Sequence, residues 1–497
     1  MGIVSDIFND CNEILDSIYN FVDQYIGCRL LQKCGIFKLK DSIEIKPECD
    51  YHDNLIFRML GIDINASKII EKCVSAKQLL IDKIIVCFAA TTACVMFKTN
   101  TFFRDYKKDT YYRFDRMPKA NWERLQLETA ANVIHDIESK TTANHVNALI
   151  FDDTLYERRR GKGTDLCARV FDHSDHTHHF GYRMMTGGWT NGEVFVPFSQ
   201  TLLTTRDESL MVGPDEQIDG RTIRGKRRKR AKQKGTDVVV DMVHEAQKAN
   251  IPFNYVMFDT WFSNPSQLVT LKEIGVDTIA MIKKNSTKYI WVNPETCEEN
   301  KLNVKEIYSR NKKRRGRSKY LLSVDVTISV KDHDPIPARL VYARNTKKHK
   351  EWVCFVCTDM TLSEEDILQL YTHRWKIEVY FKVSKNYLKL RTECHSTSYD
   401  AITSHMVVVA IRYMILAMAM FKNSDSRTAY EIFCRAQREV INEMINSSVR
   451  LILDILFETV REFFKATDKQ MNEFICLFID KLPDFWKNKF VKPDLVA

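Results

Sequence analysis

Two short apolar runs, Val146–Thr154 (VNALIFDDT) and Asn254–Phe262 (NYVMFDTWF), each carry aspartate at the point where the apolar stretch ends. Runs of this length read as buried strands, so the chain places carboxylates at strand ends. Between them lie ARVFDH, GYRMMTGGW and EVFVPFSQTLL, short strand-like segments broken at Gly187–Gly188 and at Asn191–Gly192. The Asn-Gly pair is a strong hairpin-turn signal. A basic loop over Gly220–Gly235 and a helical stretch over Asp237–Ala249 follow, and after the second aspartate come a helix closed by Gly275 and a strand, DTIAMI. This order implies an α/β fold, a mixed sheet covered by helices.

The remainder divides by periodicity. Residues 1–140 read as a helical N-terminal region in which Asp109–Trp122 (DTYYRFDRMPKANW) gathers Arg, Lys and aromatic residues around Pro118. That pattern suits a small DNA-binding region or a helical cap on the main domain. Residues 141–282 form the first part of the core. Residues 283–362, with YLLSVDVTISV, ARLVYA and EWVCFVC, read as an all-β insertion outside the first sheet. Residues 363–400 read as one long helix, opened by Ser363 as N-cap with Asp366 three residues on. Residues 401–497 are again helical in period.

Composition narrows the class. The 497 residues are 44% hydrophobic, enough for packed cores rather than a disordered chain. The formal charge of +9 is modest, but it is concentrated in two runs, Lys226–Arg230 and Lys312–Arg315. Such clusters suit a phosphate backbone, where each neutralised phosphate releases a counterion; Arg227, Arg228, Lys229, Arg314 and Arg315 are the expected contacts. The alternative for either run is a solvated loop. Met1–Tyr19 mixes acidic residues through an amphipathic pattern, unlike a secretory leader, so reduced thiols and a cytoplasmic setting are expected. Cys354 and Cys357 fall on opposite faces of a strand, which disfavours a shared metal or a redox pair. Ala401–Phe421 is apolar enough to imitate a membrane span, yet His405 and Arg412 within it are costly in hydrocarbon. A buried helix, and no membrane partner, is the expectation.

The helix after Ser363 carries the chemistry. Tyr371, Arg374, Glu378 and Lys385 lie at i, i+3, i+7 and i+14, within about 60° of one another on a continuous helix. A carboxylate among a phenol, a guanidinium and an ammonium makes little sense as a core stripe. It suits a face toward DNA, with Glu378 on metal and Arg374 and Lys385 on phosphates; an exposed face with incidental pairing is the plainer alternative. Carboxylates prefer hard cations such as Mg²⁺ or Mn²⁺. Two ions about 4 Å apart can serve the attacking and leaving oxygens of an in-line displacement.

The motif YTHRWKIEVYFKVSKNYL contains Y-x2-R-x3-E-x6-K as Tyr371, Arg374, Glu378 and Lys385, and FDDT and FDTWFSN precede it in order. This resembles the signature of a large group of bacterial insertion-sequence transposases of the DDE class, over roughly Asp109–Leu390. The resemblance implies a ribonuclease-H-like core with a β insertion between the second Asp and the Glu. It also implies a catalytic and metal-holding trio of Asp153, Asp259 and Glu378, with Asp153 taken over its neighbour Asp152 because it precedes Thr154. Asp152, on the opposite strand face, stays open as the alternative. Further implications are DNA contacts from Tyr371, Arg374 and Lys385 and the use of two Mg²⁺ or Mn²⁺ ions. Cut-and-paste cleavage of double-stranded terminal inverted repeats through a hairpin, joining to target DNA, pairing of two copies as a homodimer on DNA and association with a bacterial nucleoid complete the expectation. A tryptophan that holds a flipped base is implied too; Trp261, Trp291 and Trp352 are open for that role, against core packing for each. His173, His176, His178 and His179 crowd one turn without a partnering Cys pair, and read as a basic-edge loop beside DNA or substrate rather than as zinc ligands. A catalytically silent DNA-binding derivative and a nuclease that cuts without joining are the competing functions.

Overall fold

The computed structural model of the chain describes residues 18, 20–36, 39–40, 73–74, 76–89, 108–141, 145–159, 161–172, 175–316, 318–345, 351–422 and 428–483. The chain divides into two compact units: residues 1–24, 37–108 and 431–497 form one, and residues 25–36 and 109–430 the other. In the first, the described parts are mainly helical. Helix Ala76–Ile85 is almost wholly buried, and Phe88 packs on Phe433 with ring centroids 5.3 Å apart. Much of the N-terminal helical reading lies outside the described residues.

The second unit is built on an eleven-stranded sheet. Its strands are β1 (Ala148–Glu157), β2 (Ala168–Asp172), β3 (Thr177–Thr190), β4 (Phe195–Leu203), β5 (Tyr255–Phe258), β6 (Asp277–Ile282), β7 (Lys288–Val292), β8 (Glu299–Asn303), β9 (Leu322–Ile328), β10 (Ile336–Arg344) and β11 (Trp352–Cys357). The order is β8-β7-β9-β10-β11-β6-β5-β1-β3-β2, with β4 also paired to β3. Within it β1, β3 and β4 are antiparallel, while β5 and β6 run parallel to β1. This is the ribonuclease-H-like arrangement, and the mixed α/β class matches the sequence reading.

Helices α1 (Trp122–Lys140), α2 (Ile223–Ala231), α3 (Gly235–Lys248), α4 (Pro265–Glu273), α5 (Val304–Arg310), α6 (Glu364–Tyr371), α7 (Trp375–Asn386) and α8 (Tyr399–Lys422) flank the sheet. Strand alternation sorts them. Gln200 on β4 meets Gln126 of α1 and donates to the Tyr380 hydroxyl of α7 at 2.9 Å, while its neighbour Ser199 reaches Glu245 of α3 from the other face. Helix α1, residues 122–140, therefore packs on one face of this sheet. Helix α8, long and apolar enough to cross a membrane, has 83% of its apolar stretch buried. Its Arg412 is matched by Glu393 at 2.9 Å and by the Leu388 carbonyl.

Four local readings change. The insertion is not a separate all-β layer: β11 pairs with β6, so β7–β11 extend the first sheet, and α5 interrupts them. Gly187–Gly188 does not break a strand. It is a register shift inside the 14-residue β3, and a Cβ on Gly188 would come within 2.0 Å of the Phe195 ring. The basic loop after Gly220 is mostly helix α2, whose N-cap Thr222 accepts from Gly225 N–H. The long helix is two: a 3₁₀ turn, Thr372–Arg374, separates α6 from α7, which tightens the winding between Tyr371 and Glu378.

Candidate active site

Burial along β1 explains where the carboxylates emerge. Ala148–Phe151 are fully buried, and accessibility opens at Asp152. The parallel register sets Phe151 beside Phe258, so Asp152 follows on β1 where Asp259 follows on β5. The two aspartates thus leave neighbouring strands at the same level.

Helix α7 closes this end from one face. Arg374 donates from Nη1 to Asp152 at 3.3 Å and from Nη2 to Glu378 at 2.6 Å. Lys385 Nζ donates to the Thr154 hydroxyl, two residues past Asp152 and on the same side of β1. Tyr371 lies beside Arg374, whose guanidinium carbon is 5.8 Å from its ring centroid. The hairpin between β3 and β4 supports the start of α7. Gly192 there has φ +92°, a Cβ on it would meet His373 at 2.8 Å, and the Glu193 carbonyl accepts from Lys376 at 2.8 Å. The Asn-Gly turn is therefore a packing requirement as well as a turn.

Burial is the leading influence on the titrating groups of this face. Burial pushes the Asp152 carboxyl up to about 7; Arg374 opposes the rise, and the charges of Asp153 and Asp259 add to it. Burial also raises the Tyr371 phenol, against Arg374 and with Asp259 and Asp152. Burial pulls the Lys385 ammonium down to about 8, helped by Arg391 and opposed by Asp172. Burial disfavours the charge on Arg374 as well, but Tyr371, Glu378, Asp152 and Asp259 hold its pKa above the ordinary value.

Asp153 points the other way. Arg183 of β3 holds it with two hydrogen bonds of 2.7 Å, from Nε and Nη2. On that side Trp261 is 47% exposed, with Lys283 Nζ 4.0 Å and the Arg183 guanidinium 5.4 Å from its ring. Of the other two tryptophans, Trp291 is buried, and Trp352 stacks on Tyr308 at 4.7 Å.

Of the expected site residues, the fold brings Asp259, Tyr371, Arg374, Glu378 and Lys385 to one face, joined there by Asp152 and not by Asp153. Arg183 was not foreseen; nothing in the strand pattern singles it out. The basic run at α2 separates. Arg227 and Arg228, expected at a phosphate, are buried in ion pairs: Arg227 with Glu123 at 2.5 Å and Asp400 at 2.6 Å, Arg228 with Asp400 at 3.1 Å. Burial opposes the charge on Arg227, but Glu123 and Asp400 raise its pKa. Lys226 and Lys229 remain exposed. Arg314 and Arg315 are exposed, Arg314 lying 4.1 Å over the Tyr320 ring. In the histidine-rich turn His173 lies outside the described residues, and His176 and His178 are exposed. Asp172, Asp175 and His179 bring three ligand atoms within 4.8 Å of one another. His179 pairs with Asp175 at 2.6 Å.

A ribonuclease-H-like sheet with carboxylates gathered at the ends of β1 and β5 and on α7 defines a class of phosphodiester-cutting enzymes. Two family models match the chain: DDE superfamily endonuclease over residues 75–303, and transposase DDE domain over residues 218–415. They overlap across Asp259 and between them take in Asp152 and Glu378. Both support a DDE transposase or endonuclease, whose partner is DNA and whose usual requirement is a divalent metal ion. No curated protein matches the chain.

Proposed function

We propose that the chain is a transposase that cuts and joins DNA with a carboxylate set of Asp152, Asp259 and Glu378. The single observation that carries the choice of Asp152 is its shared link with Glu378 through Arg374. The donor chemistry suits a hard cation. All the ligands are carboxylate oxygens, and Asp152 is raised by burial and by neighbouring negative charge, a penalty that a bound cation removes. Mg²⁺ or Mn²⁺ held by these three residues would activate an attacking oxygen and stabilise the leaving one.

The chain's own residues supply the rest. Arg374 holds Asp152 and Glu378 in place before a cation arrives, and then turns a charged donor toward a phosphate oxygen. Lys385, anchored on Thr154, adds a second cation along the same strand face. Tyr371 lines the wall beside Arg374. Trp261, exposed between Lys283 and Arg183, suits an unpaired base better than Trp291 or Trp352, both of which are packed. Arg314 and Arg315 reach the DNA backbone from the insertion.

The substrates are double-stranded terminal inverted repeats and target DNA, the route is cut-and-paste through a hairpin, and two copies pair on the ends. Incubating purified protein with inverted-repeat DNA and Mn²⁺ tests this: nicked, hairpin and joined products are expected. Nicking without joining would favour the nuclease reading, which the endonuclease model match also suits. No cleavage by the wild type would contradict both.

A further inference from the structure

The ribbon formed by β2 and the start of β3 has a face that the proposed site does not use. Antiparallel register sets Arg169 opposite Phe180 and Phe171 opposite His178, so these four side chains share one side. All four are exposed, the two phenylalanines by 39% and 40%. The other side of the ribbon carries Val170, which is buried, and Asp172 and His179.

The rings are held in place. Phe171 meets His178 edge-on with centroids 5.1 Å apart. Gly161 lies so close to Phe180 that a Cβ there would be 2.9 Å from the Phe180 Cβ. The connection from β1 adds exposed Arg159 and Lys162. The four-residue face has no carboxylate, and its apolar rings are flanked by cations.

The ribbon also stands at the working end of the molecule. Strand β1 runs from Asp152 directly into this connection, and along β3 Phe180 and His178 keep the parity of Met184 and Thr186, which lie opposite Thr154 and Asp152. We infer that the Arg169–Phe171–His178–Phe180 face binds double-helical DNA beside the cleaved phosphate, an inference that rests on the DNA-cutting reading above. A two-stranded ribbon fits the major groove, where apolar side chains contact thymine methyls. Arg169, Arg159 and Lys162 meet the phosphates alongside.

The test uses the full chain and a fluorescein-labelled, A·T-containing duplex three helical turns long, with anisotropy read over a salt series. The triple variant R169A/F171A/F180A is expected to bind about tenfold more weakly. R169A alone should reduce the salt slope by about 1. A duplex affinity equal to wild type in the triple variant overturns the inference and leaves the catalytic reading standing. Wild type that fails to bind any duplex overturns both. Should the triple variant unfold, p-benzoylphenylalanine in place of Phe180 gives the decisive readout. Photo-crosslinking to the duplex supports the ribbon; crosslinking only to single strands, or to neither, overturns it.

Discussion

Asp152 and Asp153 are adjacent in sequence but are held by different arginines on opposite faces of β1: Arg374 at 3.3 Å for the first and Arg183 at 2.7 Å for the second. The side chain that meets Glu378's partner is therefore decided by strand parity. Asp153 has the geometry of a structural ion pair, bidentate and directed away from α7. Its loss should cost stability before it costs chemistry.

Asp152 links stability to pH. Its carboxyl is raised from the ordinary 3.8 to about 7, so the folded, metal-free protein holds a proton there that the unfolded chain releases. The sign is that this contribution favours folding at low pH and is lost as pH rises through about 7. Asp152→Asn should therefore raise the Tm of metal-free protein at pH 8 by several degrees, with a smaller gain at pH 5, inside the window between 3.8 and about 7 where the contribution is being lost. Added Mn²⁺ should stabilise the wild type at pH 8 and not the variant. Differential scanning calorimetry at the two pH values checks both; a lower Tm for the variant at pH 8 would contradict the account.

Lys385 gives a second pH signature. Burial lowers it to about 8, so its charge destabilises the fold below that value, and the penalty is relieved as pH climbs toward the ordinary 10.5. For DNA the sign is opposite, because only the protonated amine attracts phosphate. Affinity should fall across pH 8 to 9 in the wild type and stay flat in Lys385→Arg, whose charge persists. Anisotropy on a fixed duplex at constant ionic strength measures this, and the idea fails if both proteins show the same slope.

Arg227 is expected to behave as a core residue. Removing one member of a buried ion pair leaves uncompensated charge and costs about 3–5 kcal/mol. Arg227→Ala should thus unfold well below the wild type, because Glu123 and Asp400 lose a shared partner. Lys229→Ala, at an exposed position, should leave Tm unchanged. Urea titration of both variants separates them; an Arg227→Ala protein of normal stability but weak DNA binding would restore the phosphate role first expected of it.

How far the chain could be read follows from the range of each interaction. The apolar runs of β1 and β5, the Asn-Gly hairpin and the Ser363 cap are local signals, and each appears where its residues predict it. Glu378 and Arg374 are one helical turn apart, and their pairing is the plainer alternative that the spacing offers. Arg227's partners Glu123 and Asp400 lie 104 and 173 residues away, and no local pattern separates a buried arginine from its exposed neighbour Lys226. The union of the insertion with the first sheet depends on β11 reaching β6, again a distant pairing. The choice between Asp152 and Asp153 needed the link of Asp152 to Glu378 through Arg374, which lies 222 residues from Asp152 and which alternation alone does not supply.

The most direct measurement is Mn²⁺-dependent nicking of inverted-repeat DNA by Asp152→Asn and Asp153→Asn, each compared at matched folded fraction. Loss of a ligand to the metal should cost about a hundred- to a thousandfold in rate, in line with the loss of one group that stabilises the transition state. The account predicts that loss for Asp152→Asn, as for Asp259→Asn and Glu378→Gln. For Asp153→Asn it predicts a lower Tm with cleavage within about tenfold of wild type. Wild-type nicking by Asp152→Asn together with its loss in Asp153→Asn would contradict the assignment.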